Sequence, residues 1–586
     1  MLLDNINNPN DLKSLSVDEL SLLSGEIRDV IIKKASIVGG HLASNLGSIE
    51  LIVALHYVFN FLSDRIVFDV SHQCYTHKIL TGRKKAFLEK ESYDSVTGFT
   101  NPLESEYDLF NIGHTSTSLS LAIGLAKARD LRNSKENIVA FIGDAALSGG
   151  EAFEALNYLS ELRSGMIIVL NDNHMSIPEN HGFIDKHLQK LYLNNGVLNN
   201  NFFESFGIDY CFVKDGHNIK DLIKVFEKVK CTNRPIIVHC RTTKGKGFIP
   251  AELDKERWHH AHPFDLLTGE VYKQHSVPTE NYGSIVGEYL ESIIKHNKKV
   301  VAMTASVPAC FGFNKKRREE LADNFIDVGI CEQHLITMAA GLSKGGMRPV
   351  VITESSFYQR AYDQIEQEIS INSCPVTFLI AFSGIYGHDD NTHIGFYDIS
   401  LFGNLNNIIF LAPTNKQMYL SMLRWSINES KKPVFIRIPW NGVYSLGDNE
   451  LLPSTFEKTR YIERIKGEKV AIIALGSFYQ LGERVAGLLK KHGIQATLVD
   501  PVFASGIDSE YLNSIKLGHD IVVTLEDGLL LGGFGSKIAQ FYSESSIKVL
   551  NFGFSNNLSA KFSRDEIMER DGLTPEKIAK RIIGDL

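Results

Sequence analysis

The chain has 586 residues, 44% hydrophobic and 22% charged, with a net charge of −8; that length exceeds one hydrophobic core, so several domains are expected. The acidic balance excludes the basic footprint of a nucleic-acid or anionic-membrane binder, and no apolar run is long enough to span a bilayer. The opening MLLDNINNPNDLK lacks the regions of a secretory signal, and the seven cysteines form no CxxC pair, so reduced thiols in the cytoplasm are expected.

In chain order, Ser16-Val17-Asp18-Glu19 is a capping-box pattern ahead of an amphipathic run to Lys34. Strand patterns at 137–142, 166–170 and 235–239 then alternate with helical stretches such as 150–162. That alternation predicts a parallel sheet covered by helices. The polar stretch 268–282 is expected to be a linker. Strand patterns at 300–303, 349–353, 376–381 and 408–411 form a second unit, and the irregular stretch 441–466 precedes a third with 470–475, 495–499 and 521–524. The reading is α/β: three domains at 1–267, 283–440 and 466–586, each a mostly parallel sheet with helices on both faces.

Two polar clusters stand where apolar strands end: Gly143-Asp144-Ala145-Ala146, and about thirty residues later Asn171-Asp172-Asn173. In open α/β sheets, ligands bind beyond the carboxyl ends of the strands, so these clusters can converge. The carboxylate of Asp144 and the amide oxygen of Asn173 are hard donors that suit Mg2+ with phosphate oxygens. Glu332 follows the run 325–329 and opens an apolar helix. A helix N-terminus favours its ionised form, whereas a water-poor site favours the protonated one. The stretch WHHAHPFD at 258–265 has no zinc-ligand spacing.

Further motifs make the chain resemble the 1-deoxy-D-xylulose-5-phosphate synthase family of transketolase-like enzymes. They are GHLASNLG at 40–47, SHQCYTHKILTGR at 71–83, GHTSTS at 113–118, NDNHMSIPEN at 171–180, KGKGFIPAE at 244–252, DVGICEQH at 327–334, QRAYDQ at 359–364, Thr392-His393 and GGFG at 532–535. The resemblance implies a thiamine-diphosphate-binding fold twice plus a transketolase C-terminal domain, with thiamine diphosphate and Mg2+ as cofactors. It implies that His72, Gly113, His114, Thr115, Ala145, Ala146, Lys244 and Phe248 hold the cofactor. Asp144, Asn173 and the Met175 carbonyl would bind the metal, Ile177 would lie under the cofactor, and Phe357 would stack on its aminopyrimidine. Glu332 would bond the pyrimidine and assist deprotonation of the thiazolium. His41, His259, His393, Arg360 and Asp389 would face substrate; histidines exchange protons near neutral pH, and a guanidinium forks onto a carboxylate.

The implied reaction is condensation of pyruvate with glyceraldehyde 3-phosphate, with loss of CO2, in isoprene and thiamine biosynthesis. Alternatives are a carboligase or transketolase with another or an unphosphorylated acceptor, and a catalytically silent paralogue. A homodimer is implied by the resemblance alone. The chain departs from the family in four places. Ala145 replaces a glycine, Ala381-Phe382 replace Asp-Arg, Glu354 replaces a tyrosine, and Trp440-Asn441 replace Arg-Gly. The missing arginines and tyrosine serve the acceptor phosphate in the family, and each lost charge-assisted contact is worth about 1.5–3 kcal/mol. Arg437 and Lys416 are the neighbouring cations that would compensate. The chain is also short between Asn180 and Asp215-Gly216-His217, which bears on closure rather than chemistry.

Overall fold

A computed structural model describes residues 1–273, 280–385, 391–439, 442–445, 452–557 and 562–586. The chain forms two compact units, one of Met1–Val277 with Gly329–Cys331 and one of Pro278–Val328 with Glu332–Leu586.

The first unit opens on a helix over Val17–Val38, capped reciprocally: the Ser16 amide donates to Glu19 Oε2 at 2.7 Å and the Glu19 amide to Ser16 Oγ at 3.3 Å. Its sheet contains β1 (Arg65–Phe68), β2 (Ile138–Gly143), β3 (Met166–Asp172), β4 (Asp209–Val213) and β5 (Pro235–Arg241), all parallel in the order β1-β2-β3-β5-β4. Successive strand side chains point to opposite faces. Ile138, Ala140 and Ile142 therefore pack with Leu119, Ala122 and Leu156, on helices Ser118–Leu131 and Gly150–Leu159. Val139 and Phe141 pack with Leu51, Leu55, Leu222 and Phe226, on helices Ile49–Val58 and Ile219–Val229. Burial on both faces is why these strands read as unbroken apolar runs.

The second unit holds two sheets. The first contains β6 (Val300–Thr304), β7 (Phe325–Asp327), β8 (Arg348–Glu354), β9 (Thr377–Ser383), β10 (Ile409–Leu411) and β11 (Val434–Pro439), parallel in the order β10-β11-β9-β8-β6-β7. The second contains β12 (Ile462–Ile465), β13 (Lys469–Ala474), β14 (Thr497–Asp500), β15 (His519–Leu529) and β16 (Lys548–Phe554), in the order β12-β14-β13-β15-β16, with only β12 antiparallel. Phe378, Phe410 and Phe435 of one sheet share a core with Ala471, Ile473 and Val522 of the other.

The chain is thus α/β with three mostly parallel sheets. Two details depart from the sequence reading. The irregular stretch 441–466 contains the edge strand β12, whose four residues are too few to show a period. The expected linker 268–282 already contains the next helix cap, because Asn281 Oδ1 accepts the Ser284 amide at 2.9 Å. Asp389, Trp440 and Asn441 lie outside the described residues.

Candidate active site

In the first unit, the ends of β2 and β3 bring the two polar clusters together. The Asn173 amide donates to Asp144 Oδ2 at 3.3 Å, and Oδ1 accepts the Ala145 amide at 3.0 Å. Asn173 Oδ1 accepts the Met175 amide at 3.2 Å, which closes a turn over Asn173–Met175 beside Asp144. The carboxylates of Asp144 and Asp172 are both buried but differently compensated. Asp172 is bonded to His239 Nε2 and Arg241, each at 2.9 Å, which holds its pKa low. Asp144 has backbone donors, a side-chain hydrogen bond shared with Asp172 and no ion pair among the described residues; burial, then the Asp172 charge, push its pKa well up. A buried carboxylate without a counter-charge is costly unless a cation is supplied. No group of three or more His, Cys, Asp or Glu among the described residues is placed to hold a metal. The donor set of one carboxylate, one amide oxygen and a nearby carbonyl leaves positions for phosphate oxygens, and it fits Mg2+ with a diphosphate.

Loops from distant motifs close around this turn. Buried Lys244 donates to the Ser176 carbonyl, and Thr242 Oγ1 to Asn171 Oδ1 at 2.5 Å. Burial pushes the Lys244 ammonium down to about 7, and the Asp144 charge opposes that shift. Gly47 has no side chain to obstruct this approach; a Cβ there would stand 3.0 Å from the Thr243 carbonyl oxygen. Ser116 Oγ donates to the Ala146 carbonyl at 2.8 Å, drawing Gly113, His114 and Thr115 beside Ala145-Ala146. Asp69 accepts the Ser116 and Ser118 amides at 2.8 and 3.0 Å.

Asn45 ties two histidine loops, donating to the His41 and His72 carbonyls at 2.7 Å each. Val70 and Ser71, just before His72, take φ of +57° and +66°, a conformation costing about 1–3 kcal/mol for such residues. The His41 ring lies 5.3 Å from His72, 5.7 Å from His259 and 4.9 Å from His260. Burial pushes His259 well below the ordinary imidazole pKa, so it is neutral near pH 7. Ile177 is partly buried, and Phe248 packs edge-on against Trp258 at 5.1 Å, within an aromatic cluster with Phe264. Sequence reasoning did not find the support behind the 71–83 motif: His77 Nε2 meets Asp108 Oδ1 at 2.9 Å, and Arg83 forks onto Asp108 at 2.6 and 3.0 Å. His77 and Arg83 belonged to a quoted motif, but Asp108 had no signal of its own.

In the second unit, Glu332 begins the helix Glu332–Lys344 and is buried. Its carboxylate stands 3.4 Å from Arg360. Burial outweighs both Arg360 and the helix terminus, so its pKa is raised. Phe357 lies just beyond β8, with its ring edge-on to His393 at 5.7 Å. Thr392 Oγ1 and His393 Nδ1 are 2.8 Å apart. Glu354 ends β8; burial pushes its carboxyl up to about 7, and His393 opposes that shift.

Both neighbouring cations already have carboxylate partners. Arg437 forks onto Asp398 at 2.6 and 3.1 Å and also donates to Asp527, and Lys416 is paired with Glu280. Phe382 itself has φ of +52°, with its ring 6.2 Å from Phe311.

Family models agree along nearly the whole chain. The model described as 1-deoxy-D-xylulose-5-phosphate synthase matches residues 3–199 and 192–242. The transketolase pyrimidine-binding domain matches 280–443, and the transketolase C-terminal domain 460–578. The 1-deoxy-D-xylulose-5-phosphate synthase of Clostridium tetani is 37% identical over 99% of this chain and 99% of its own length. That of Lachnoclostridium phytofermentans is 37% identical over 99% and 98%. A transketolase structure from Campylobacter jejuni aligns over 97% of this chain and 100% of its own, at 16% identity and a TM-score of 0.44. Full-length identity to relatives of one name makes this chain a member of the 1-deoxy-D-xylulose-5-phosphate synthase family.

Proposed function

We propose that the chain is a transferase that joins pyruvate to glyceraldehyde 3-phosphate, forming 1-deoxy-D-xylulose 5-phosphate and CO2. Relatives of that name across the full chain favour this reaction over an unphosphorylated acceptor, a transketolase-type transfer or a silent paralogue. The observation that carries the chemistry is the buried carboxyl of Asp144, in no ion pair among the described residues, beside Asn173 at the ends of two parallel strands.

In this reading Asp144, Asn173 and the Met175 carbonyl hold Mg2+, while His72, Gly113, His114, Thr115, Ala145, Ala146, Lys244 and Phe248 bind thiamine diphosphate with Ile177 beneath it. When bound, that cofactor supplies the electron sink that lets the donor lose CO2. Glu332 keeps a proton available for the aminopyrimidine, and Phe357 offers a ring to stack on it. His41, His259, His393, Arg360 and Asp389 orient substrate and move its protons. The raised pKa of Glu332 supports its role, since only the protonated acid can donate a hydrogen bond. The same reading takes 1–267, 283–440 and 466–586 as the functional domains and the enzyme as a cytoplasmic homodimer of isoprenoid biosynthesis. No helix among the described residues is long and apolar enough to cross a membrane.

The test supplies purified protein with thiamine diphosphate, Mg2+, pyruvate and glyceraldehyde 3-phosphate, and follows CO2 and the ketose product by NMR. Absence of both, or transfer from a ketose phosphate without CO2, would sink the reading. Light scattering checks the dimer.

A further inference from the structure

Buried charges in the second unit meet at the base of one segment. Arg437, Asp398 and Asp527 are each at most 3% exposed. They come from β11, from the first residue of the helix Asp398–Phe402, and from β15. The Arg437 guanidinium forks onto Asp398 through Nε at 2.6 Å and Nη2 at 3.1 Å, and its Nη1 donates to Asp527 Oδ1. Ser477 occupies the other oxygen of Asp527 at 2.5 Å. A planar fork serves two carboxylates at once in a fixed geometry, one of them bidentately, which an ammonium does not reproduce.

Both aspartates touch the same segment. The chain leaves β9, passes Gly384, and returns at Gly395, where the Gly395 amide donates to the Gly384 carbonyl at 3.2 Å in an antiparallel bridge. Gly384 rests on Asp527: its φ is +82°, and a Cβ there would stand 2.9 Å from the Asp527 carbonyl oxygen. A Cβ on Gly395 would stand 1.8 Å from the Phe382 carbonyl oxygen, so the return passes in backbone contact. Three residues further on, Asp398 takes the Arg437 fork. The Leu529 amide donates to Phe396 O at 3.0 Å and Ser355 Oγ to Gly395 O at 2.9 Å, which pin the same return. Just before this return lie Thr392 and His393, the latter facing Phe357.

We infer that Arg437 is a positioning residue: its guanidinium ties Asp398, five residues after His393, to Asp527, on which Gly384 packs, and so sets the place of the His393 imidazole. The inference rests on the proposed substrate-facing role of His393. Arg437 binds no substrate here, because all its charge is spent on Asp398 and Asp527. A clasp of this kind acts through orientation, and orientation errors of about 1 Å can cost about 100-fold in rate.

The experiment is a double-mutant cycle with Arg437→Gln and His393→Ala in the full-length enzyme loaded with thiamine diphosphate and Mg2+. Expected are a fall of about 100-fold in kcat/KM for Arg437→Gln, an unchanged Kd for thiamine diphosphate, and less than about a threefold further loss when Arg437→Gln is added to His393→Ala, because coupled residues are not additive. Arg437→Lys should recover part of the activity. Multiplicative losses, or a cofactor Kd that weakens in step with activity, would overturn the clasp and leave an ordinary core ion pair. Full activity in His393→Ala would instead overturn its premise, the role of His393. Should Arg437→Gln not yield folded protein, Asp398→Asn is read in the same cycle with the same outcomes.

Discussion

Asp144 and Arg437 are both buried ionic groups at strand ends, and they answer opposite needs. Asp144 sits beside another carboxylate and is in no ion pair among the described residues. Arg437 is shared by two carboxylates and has nothing left for a ligand. A charge the fold has already neutralised serves the fold; a charge it has left over awaits a partner from solution. The same contrast appears inside the first unit, where Asp172 is held by His239 and Arg241 while Asp144 is not.

The contrast is sharpened first at Glu332, whose one cationic contact among the described residues is Arg360 at a loose 3.4 Å. If its proton serves the cofactor, Glu332→Gln lowers kcat by about 10²–10⁴-fold, the range of general acid–base assistance. Steady-state assays check this, and NMR exchange of the cofactor C2 proton should slow in parallel. Asp144→Asn should cost at least about 100-fold in activity, the upper range for losing even a supporting metal contact. It should also leave the ligand-free protein at least as stable in urea, because it removes a charge the fold does not pair. Arg437→Met does the reverse in stability. It strands two buried carboxylates and should lower unfolding free energy by about 3–5 kcal/mol, read by urea denaturation. If Asp144→Asn destabilised the ligand-free protein as much, the contrast between the two sites would be broken.

Glu354 supplies a milder test through pH. Its carboxyl is raised from an ordinary 4.5 to about 7 by burial. The folded chain therefore keeps a proton that the unfolded chain releases from about 4.5 upward. Stability falls as pH rises through that window, at up to about 1.4 kcal/mol per pH unit from this one group. Glu354→Gln should remove that share, so the variant gains on the parent between pH 5 and 7 in denaturation curves. The smallest effect is expected far from any site: Ser16→Ala removes one half of a capping box and should cost about 1 kcal/mol, visible as a small loss of Tm.

Much was legible in the residues. The buried parallel strands β2, β3, β6 and β8 were legible because apolar runs ending in Gly-Asp, Asn-Asp or Thr punctuate clearly. Weaker strands were not. β1 is four residues long, and β12 alternates at an exposed edge, so neither carries enough pattern to stand out from a loop. Among site residues, those inside continuous motifs could be named. Their supports, such as Asn45 tying two histidine loops or Asp108 under His77 and Arg83, are contributed from elsewhere in the chain.

By itself the sequence determined the family, the α/β class with three sheets, and which residue types gather at the strand ends, because local periodicity and motif spacing are written along the chain. Only the tertiary structure decided whose charge is spent. Arg437 reads in sequence as a spare cation near a missing phosphate anchor, yet Asp398 and Asp527, thirty-nine and ninety positions away, neutralise it. Compensation is a property of groups brought within 3 Å by packing. Sequence distance carries no record of it.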